Sequence, residues 1–371
     1  MELKEYRFDE VTINFDKKRI PLSGAQREKR QGKYRYYGAQ GVIDHIDDFI
    51  FDGTYLLIAE DGENLKSKKQ NIAQVVEGQF WVNNHAHIVQ GNDLCDTRYL
   101  CYLLNSMDLS GYITGSAQPK LSQVNLNAVK LLLPSIVIQK RIVEYLYLFD
   151  KKIAVNQQIN DNLQQQTTAL FANFYDHLEE EVGFTEIIQI LGGGTPKTGE
   201  SSYWNGNIPF FTPKDVGSPY TLATEKTITE EGLAHCNSRL YPINTVFVTA
   251  RGTVGKVGLP GVPMAMNQSC YALNGKGTHQ LLVYFYTLKA VDRLKHKASG
   301  AVFDAITTRD FESEHVMKLS DDDEKAFLNV AEPMYQAILS NSIENMRLSA
   351  LRDSLLPKLM SGEIDLSNIQ F

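Results

Sequence analysis

Ser135 to Val182 reads SIVIQKRIVEYLYLFDKKIAVNQQINDNLQQQTTALFANFYDHLEEEV, 48 residues with neither glycine nor proline, set between Pro134 and Gly183. Proline just before and glycine just after such a run are the start and stop marks of a helix. The run therefore predicts one helix of about 70 Å, at about 1.5 Å per residue. Ile142, Tyr145, Phe149, Ile159, Leu163 and Leu170 fall on the alternating three-and-four spacing of a coiled-coil seam. A second stretch free of Gly and Pro, Met334 to Leu356, repeats that spacing at Met334, Ile338, Asn341, Asn345, Leu348 and Leu355. Two long helices with matching seams are expected to pair. They cut the chain into a globular segment 1–135, a spacer helix 136–182, a second globular segment 183–318 and a closing helical segment 319–371.

Outward from the helices, 371 residues at 43% hydrophobic suffice for two domains with their own cores. No apolar run approaches the roughly 18–20 residues of a membrane helix, and Met1 to Glu5 opens without a signal-peptide core. A cytoplasmic location is expected. Cys95, Cys101, Cys236 and Cys270 have no metal-ligand spacing and are too few to staple this length, so they read as buried or idle thiols. The net charge of −7 belongs to the helices: segments 136–182 and 319–371 hold 8 basic against 16 acidic residues, the other two 29 against 28. Nucleic acid is thus not excluded as a partner of the globular parts.

The same order of parts occurs twice. Gly32 to Tyr37 lines up with Gly206 to Phe211, Thr54 to Ala59 with Thr245 to Ala250, Asn83 with Asn267, and Asn156 with Asn341. Leu163-(x)6-Leu170-Phe171 likewise matches Leu348-(x)6-Leu355-Leu356. Collinear similarity of this kind predicts an internal duplication. The expected fold is α/β: two globular α/β modules separated by two long helices in an antiparallel coiled coil, with pseudo-twofold symmetry. Thr54 to Ala59 and Thr245 to Ala250 predict buried strands, and Tyr99 to Leu109 and Leu281 to Lys297 predict single surface helices. Asn156 and Asn341, polar residues on the seam, are expected to hold the helix register, because a polar seam residue penalises slipped pairings.

No catalytic set is found. Gly192-Gly193-Gly194-Thr195-Pro196-Lys197-Thr198 lacks the spacing of a phosphate loop, and Pro196 breaks the helix start that such a loop needs. His85 and His87 alternate on an expected strand, but no carboxylate or cysteine stands at a supporting spacing, so no metal site is expected. Asp323-Glu324-Lys325 has the composition of a nuclease site, yet acids at a helix start already complement the helix dipole. No Pro-Pro pair exists to build the loop with which an adenine methyltransferase holds a flipped base.

The remaining signal is for nucleic-acid binding. Lys17, Lys18, Arg19, Arg27, Lys29, Arg30, Lys33 and Arg35 face a single acid, Glu28, between residues 17 and 35, and run into Tyr36 and Tyr37. Lys and Arg neutralise phosphates, and Arg also bonds bidentately to guanine. Lys120 joins this set. In the second segment the candidates are Thr195, Lys197, Tyr203, Trp204, Lys214, Arg251, Lys256 and Arg309, most of them in Gly-rich, loop-like surroundings.

These residues carry a resemblance. Tyr36-Tyr37-Gly38-Ala39-Gln40-Gly41-Val42-Ile43-Asp44, followed by Phe51 to Gly62, resembles the specificity subunit of type I restriction-modification systems. So do Gly193-Gly194-Thr195-Pro196, Tyr203 to Pro209, Thr249-Ala250-Arg251-Gly252-Thr253-Val254-Gly255 and the terminal Leu355 to Ile364. The resemblance covers nearly the whole chain. It implies two target-recognition domains, each reading half of a split double-stranded DNA sequence, held apart by two antiparallel helices. It also implies a non-catalytic chain with no cofactor or metal of its own. Two modification subunits would supply S-adenosylmethionine-dependent adenine methylation, and restriction subunits ATP- and Mg-dependent translocation and cleavage. The Gly-Thr-Pro and Tyr-Trp entry motif of the second module has no counterpart in the first, so the two domains are expected to differ in target. The rival readings are a single-chain DNA methyltransferase or endonuclease with an unrecognised site, and a free-standing binding or scaffold protein.

Overall fold

The computed structural model describes residues 2–68, 70–115, 118–178, 181–297 and 304–364. The chain forms two compact units, Met1–Lys152 with Leu348–Phe371, and Ile153–Arg347. Each takes part of both long helices.

The first unit contains strands β1 (Lys4–Arg7), β2 (Thr12–Asn14), β3 (Gln31–Gly38), β4 (Gly41–Ile46), β5 (Phe51–Ala59), β6 (Ala73–Val82), β7 (Ala86–Gly91) and β8 (Lys130–Leu133). Six of them make one sheet in the order β2-β7-β5-β6-β3-β4, in which only the β3–β6 pair is parallel, and β1 pairs with β8. The helix Thr97–Ser106 is capped by Asp96, whose carboxylate accepts from the backbone N–H groups of Arg98 and Tyr99. It buries Tyr99, Leu100 and Leu104 in a core shared with Leu56 and Ile58 of β5. Ile142 and Leu146 of the first long helix and Leu356 and Leu359 of the second close the same core.

The second unit contains β9 (Glu181–Gly183), β10 (Ile188–Gly192), β11 (Trp204–Phe211), β12 (Tyr220–Thr221), β13 (Lys226–Ile228), β14 (Val246–Thr249), β15 (Val257–Pro260), β16 (Ala265–Met266), β17 (Cys270–Gly275) and β18 (His315–Met317). Its strands form sheets β10-β17-β14-β15-β12 and β13-β11-β16, with β18 on β9. The duplication is visible pair by pair. Tyr36 and Tyr37 stand opposite Trp81 and Val82 as Phe210 and Phe211 stand opposite Ala265 and Met266, parallel in both cases. A Cβ added to Gly32 or to Gly206 would lie 2.5 Å from a carbonyl oxygen of the facing strand end, Ile46 or Ile228. The strand that matches β6 is interrupted at Gly261-Val262-Pro263, where proline has no N–H for the ladder. One six-stranded sheet thereby becomes two sheets.

Strand pairing corrects one alignment. Ala59 faces Ala86 on β7, and Thr249 faces Cys270 on β17, so Ala59 corresponds to Thr249 and not to Ala250. Leu281 to Lys297 is likewise no surface helix. The helix Gln280–Lys297 buries every residue from Leu281 to Thr287, and Phe285 stacks on Phe171 with ring centroids 4.9 Å apart.

The first long helix runs Ile136–Tyr175 and stops short of Val182, because β9 begins at Glu181; Glu179 and Glu180 lie outside the described residues. The second is longer than its proline-free stretch, Asp321–Ser361, and carries Pro333 and Pro357 inside it. A helix-interior proline costs about 3 kcal/mol. Buried Phe327, Ala331, Tyr335 and Ile338 on one side of the same helix offset that cost through packing. Asp321, Asp322, Asp323 and Glu324 occupy its first turn, and Ser320 caps it by accepting from the N–H of Asp323 at 3.2 Å.

The helices are antiparallel: Arg352 binds Asp150 in the first unit, while in the second Asn156 meets Asn345, Asn160 meets Asn341 and Thr167 meets Met334. Asn156 and Asn341 therefore both lie on the seam but do not touch each other. Asn156 donates to Asn345 at 2.9 Å, and Asn341 donates to Asn160 at 2.9 Å. Under the repeat offset of 185 residues each pair is the image of the other, as contacts are across a twofold axis. Ile159, expected on the seam, is exposed, and buried Asn160 takes the seam position beside it.

Candidate nucleic-acid interface

In the first unit the basic run folds against acids that are distant in sequence. Arg27 holds Asp44 at 2.9 Å and donates to the Leu22 carbonyl, and Arg30 holds Asp47 at 2.9 Å while lying over the Trp81 ring. Hydrogen bonds from Gln31, the His45 N–H and Arg27 hold the Asp44 carboxyl below its usual range. Arg35 donates to the Glu77 carbonyl and lies over Tyr37. Arg19 is an internal strut with 16% of its side chain exposed; it donates to Glu60 at 2.9 Å and to the Ala86 carbonyl at 2.8 Å. Lys120 pairs with Glu60 at 3.3 Å. Lys17, Lys18, Lys29 and Lys33 are exposed and have no ion pair among the described residues. Lys18 lies over Phe15, and Lys33 over Tyr34.

Tyr36 and Tyr37 are core residues. Tyr36 is fully buried, its hydroxyl accepting from the Leu22 N–H at 2.9 Å, and Tyr37 packs edge-on against Phe80. Neither ring has a face free to stack on a base, which corrects the sequence expectation for both. The sequence spacing counted cations only along the chain. The fold brings Asp44, Asp47, Asp48 and Glu60 back onto them.

The second unit concentrates positive charge more effectively. Lys214, Lys226 and Arg251 line one surface depression of about 430 Å³ with Thr212, Thr253, Asn267 and Ser269, and among the described residues Glu225 is the only acid in its wall. Lys214 and Arg251 were legible in the sequence; Lys226 was not, since it stands alone beside Glu225 on the short strand β13. Lys226 also lies over the Trp204 ring, 5.6 Å from its centroid, and the Trp204 indole N–H donates to the Lys197 carbonyl at 3.1 Å. Tyr203 stacks on His235, and Thr195 is hydrogen-bonded to Gln268. Lys197, Lys256 and Arg309 are exposed and lie outside the walls of that depression.

Other chemistries find little support. The depression of about 640 Å³ in the first unit sets Arg98 and Arg352 against Asp150 and Asp353, so it has no excess positive charge for phosphate. Among the described residues no group of three or more His, Cys, Asp or Glu is placed to hold a metal ion. His85 precedes β7 and pairs with Asp61 at 2.8 Å, while His87 is buried on β7 against Asp16 at 2.6 Å. The carboxylates that the sequence spacing did not show are supplied by the fold, and Asp16 is shared with Arg19 at 3.5 Å. Burial pushes the Cys95, Cys101 and Cys270 thiols up to about 12, as inert thiols require.

The model of the family described as type I restriction modification DNA specificity domain matches residues 2–165 and again 179–318. A putative type I restriction enzyme specificity subunit of Haemophilus influenzae is 31% identical over 138 residues, 37% of this chain and 35% of that protein. The MjaIX specificity subunit of Methanocaldococcus jannaschii is 32% identical over 124 residues, 32% of this chain and 29% of its own. The aligned stretches thus span about a third of these relatives. The crystal structure of the S subunit of a type I restriction-modification system from M. genitalium superposes with a TM-score of 0.59 at 14% identity, over 97% of this chain and 96% of that one. That likeness is one of fold.

Proposed function

Because the chain belongs to the type I restriction modification DNA specificity domain family, we propose that it is the DNA-reading subunit of such a system. Each module, 1–135 and 183–318, reads one half of a split double-stranded target, and the helical segments 136–182 and 319–371 set their separation. The observation that carries this reading is the duplication of an entire reader with its helix, down to the exchanged Asn pairs. Half-sites about one helical turn apart, roughly 34 Å, call for two readers related by a twofold. A duplicated chain supplies both without dimerising.

Methylation and cleavage belong, in this reading, to two modification subunits and to restriction subunits, which bring S-adenosylmethionine, ATP and Mg. The acidic outer faces of the helices suit such protein partners and repel DNA. No described helix is long and apolar enough to cross a membrane, and the reading places the protein in the cytoplasm with its DNA. In module 1 the phosphate contacts fall to Lys17, Lys18, Lys29 and Lys33, which are free of acids, while Arg27, Arg30 and Arg35 brace the surface. In module 2 Lys214, Lys226 and Arg251 form the centre of the contact, with Thr195, Lys197, Tyr203, Trp204, Lys256 and Arg309 around it.

Replacing Lys17, Lys18, Lys29 and Lys33 by Ala tests the assignment. Affinity is expected to fall for all sequences alike, and each lost phosphate contact lowers the slope of log K on log salt by about 0.9. The paired arginines serve as contrast: Arg27→Ala is expected to lower stability with little change in slope. A lysine variant with an unchanged slope but altered sequence preference would move these residues from phosphates to bases.

A further inference from the structure

His87 is fully enclosed on β7, and both of its ring nitrogens face acceptors. Nδ1 lies 2.6 Å from Asp16 Oδ2, and Nε2 lies 2.8 Å from the carbonyl oxygen of Leu121. A neutral imidazole donates from one nitrogen only, so both contacts are hydrogen bonds only in the doubly protonated ring. The alternative, a proton on Asp16, is disfavoured by the other partners of that carboxylate. Its Oδ1 accepts from the Ile88 N–H at 2.8 Å, and Arg19 stands 3.5 Å from Oδ2. Burial raises the Asp16 carboxyl, and the Ile88 N–H and the Arg19 charge act against it.

The surroundings are complete and charged. Glu60 lies 3.9 Å from Nδ1 and is shared by Arg19 and Lys120. On the adjoining turn His85 pairs with Asp61. With the ring charged, His87, Arg19 and Lys120 face Asp16 and Glu60. The two residues bonded by the ring adjoin DNA-contact candidates: Asp16 precedes Lys17 and Lys18, and Leu121 follows Lys120. Among the described residues module 2 has no such device. Tyr271 occupies the corresponding place, opposite Val248 as His87 is opposite Ile58.

We propose that His87 is a buried imidazolium that acts as a positioning residue, locking the Lys17–Lys18 turn and the Lys120 segment into one DNA-facing surface in module 1 alone. The inference rests on the DNA-reading function, and its first test does not. In the full chain labelled with ¹⁵N-histidine, the resonance lost in His87→Gln is expected to show two protonated ring nitrogens at pH 7. A neutral ring overturns the proposal whether or not the chain binds DNA. In binding measurements His87→Gln keeps the size and one hydrogen bond but no charge. It is expected to lower the salt slope by about 0.9 for each of the two lysine contacts that follow Asp16, Lys17 and Lys18. A His87→Gln protein that keeps its near-ultraviolet circular dichroism and binds with the wild-type slope also overturns it. Failure of the wild-type chain, with its partners, to bind DNA would instead sink the functional reading.

Discussion

Phe171→Ala is expected to destabilise the second unit by about 3–5 kcal/mol. The ring is 1% exposed and is surrounded by Phe285, Tyr175, Phe327 and Tyr286, with centroids 4.9, 5.2, 5.4 and 5.8 Å away. Those neighbours come from both long helices and from the buried helix Gln280–Lys297, so no single element can shift to fill the space. For a unit of this size the loss corresponds to a fall in melting temperature of roughly 10 °C. Val155→Ala on the same helix, at a side chain 41% exposed, is expected to stay within about 0.5 kcal/mol. Denaturant unfolding of both variants checks the pair; a Phe171→Ala cost near that of Val155→Ala would contradict this account of the core.

The second large effect concerns the spacing of the half-sites. Across the antiparallel helices Asn156 pairs with Asn345, Asn160 with Asn341 and Thr167 with Met334, which places Ala337 opposite Gln164. Four residues inserted after Gln164 alone would slide one side of this seam past its partners and break either the Asn pairs or the Thr167 contact. Matched insertions of four residues after Gln164 and after Ala337 keep every pair. They lengthen both helices by roughly 6 Å and turn them by about 400°, close to one full rotation. At about 3.4 Å per base pair, the unspecified gap is expected to grow by one or two base pairs while both half-sites keep their bases. Methylation at the old gap by modification subunits assembled with an active double-insertion variant would show that the helices are not the ruler.

What was legible in the sequence followed from features that are local. The long helices announced themselves by the absence of Gly and Pro and by seam spacing, and the duplication by collinear short matches. Pro333 misled because proline at an exposed helical position costs less than the packing of Tyr335 and Ile338 returns. The match between β5 and β14 slipped by one residue because Leu56 to Ala59 and Val246 to Thr249 are buried on both faces. Such strands lack the polar alternation that sets the phase. The basic run was legible as composition but not as surface: Asp44, Asp47 and Asp48 arrive with the next strand and the turn after it, and Tyr36 turns inward. Lys226 has no sequence signal. Only the pairing of β13 with β11 brings it to Trp204.

Each module is expected to read its own half of one DNA target. Residues 183–318 can be exchanged for the corresponding domain of a relative that has a different target. Sequencing of methylated adenines in a host that expresses the chimera with its modification subunit then reads both half-sites at once. One half of the recognised sequence is expected to change to that of the donor while the other half and the gap are retained. A change in both halves together, or in neither, would contradict it.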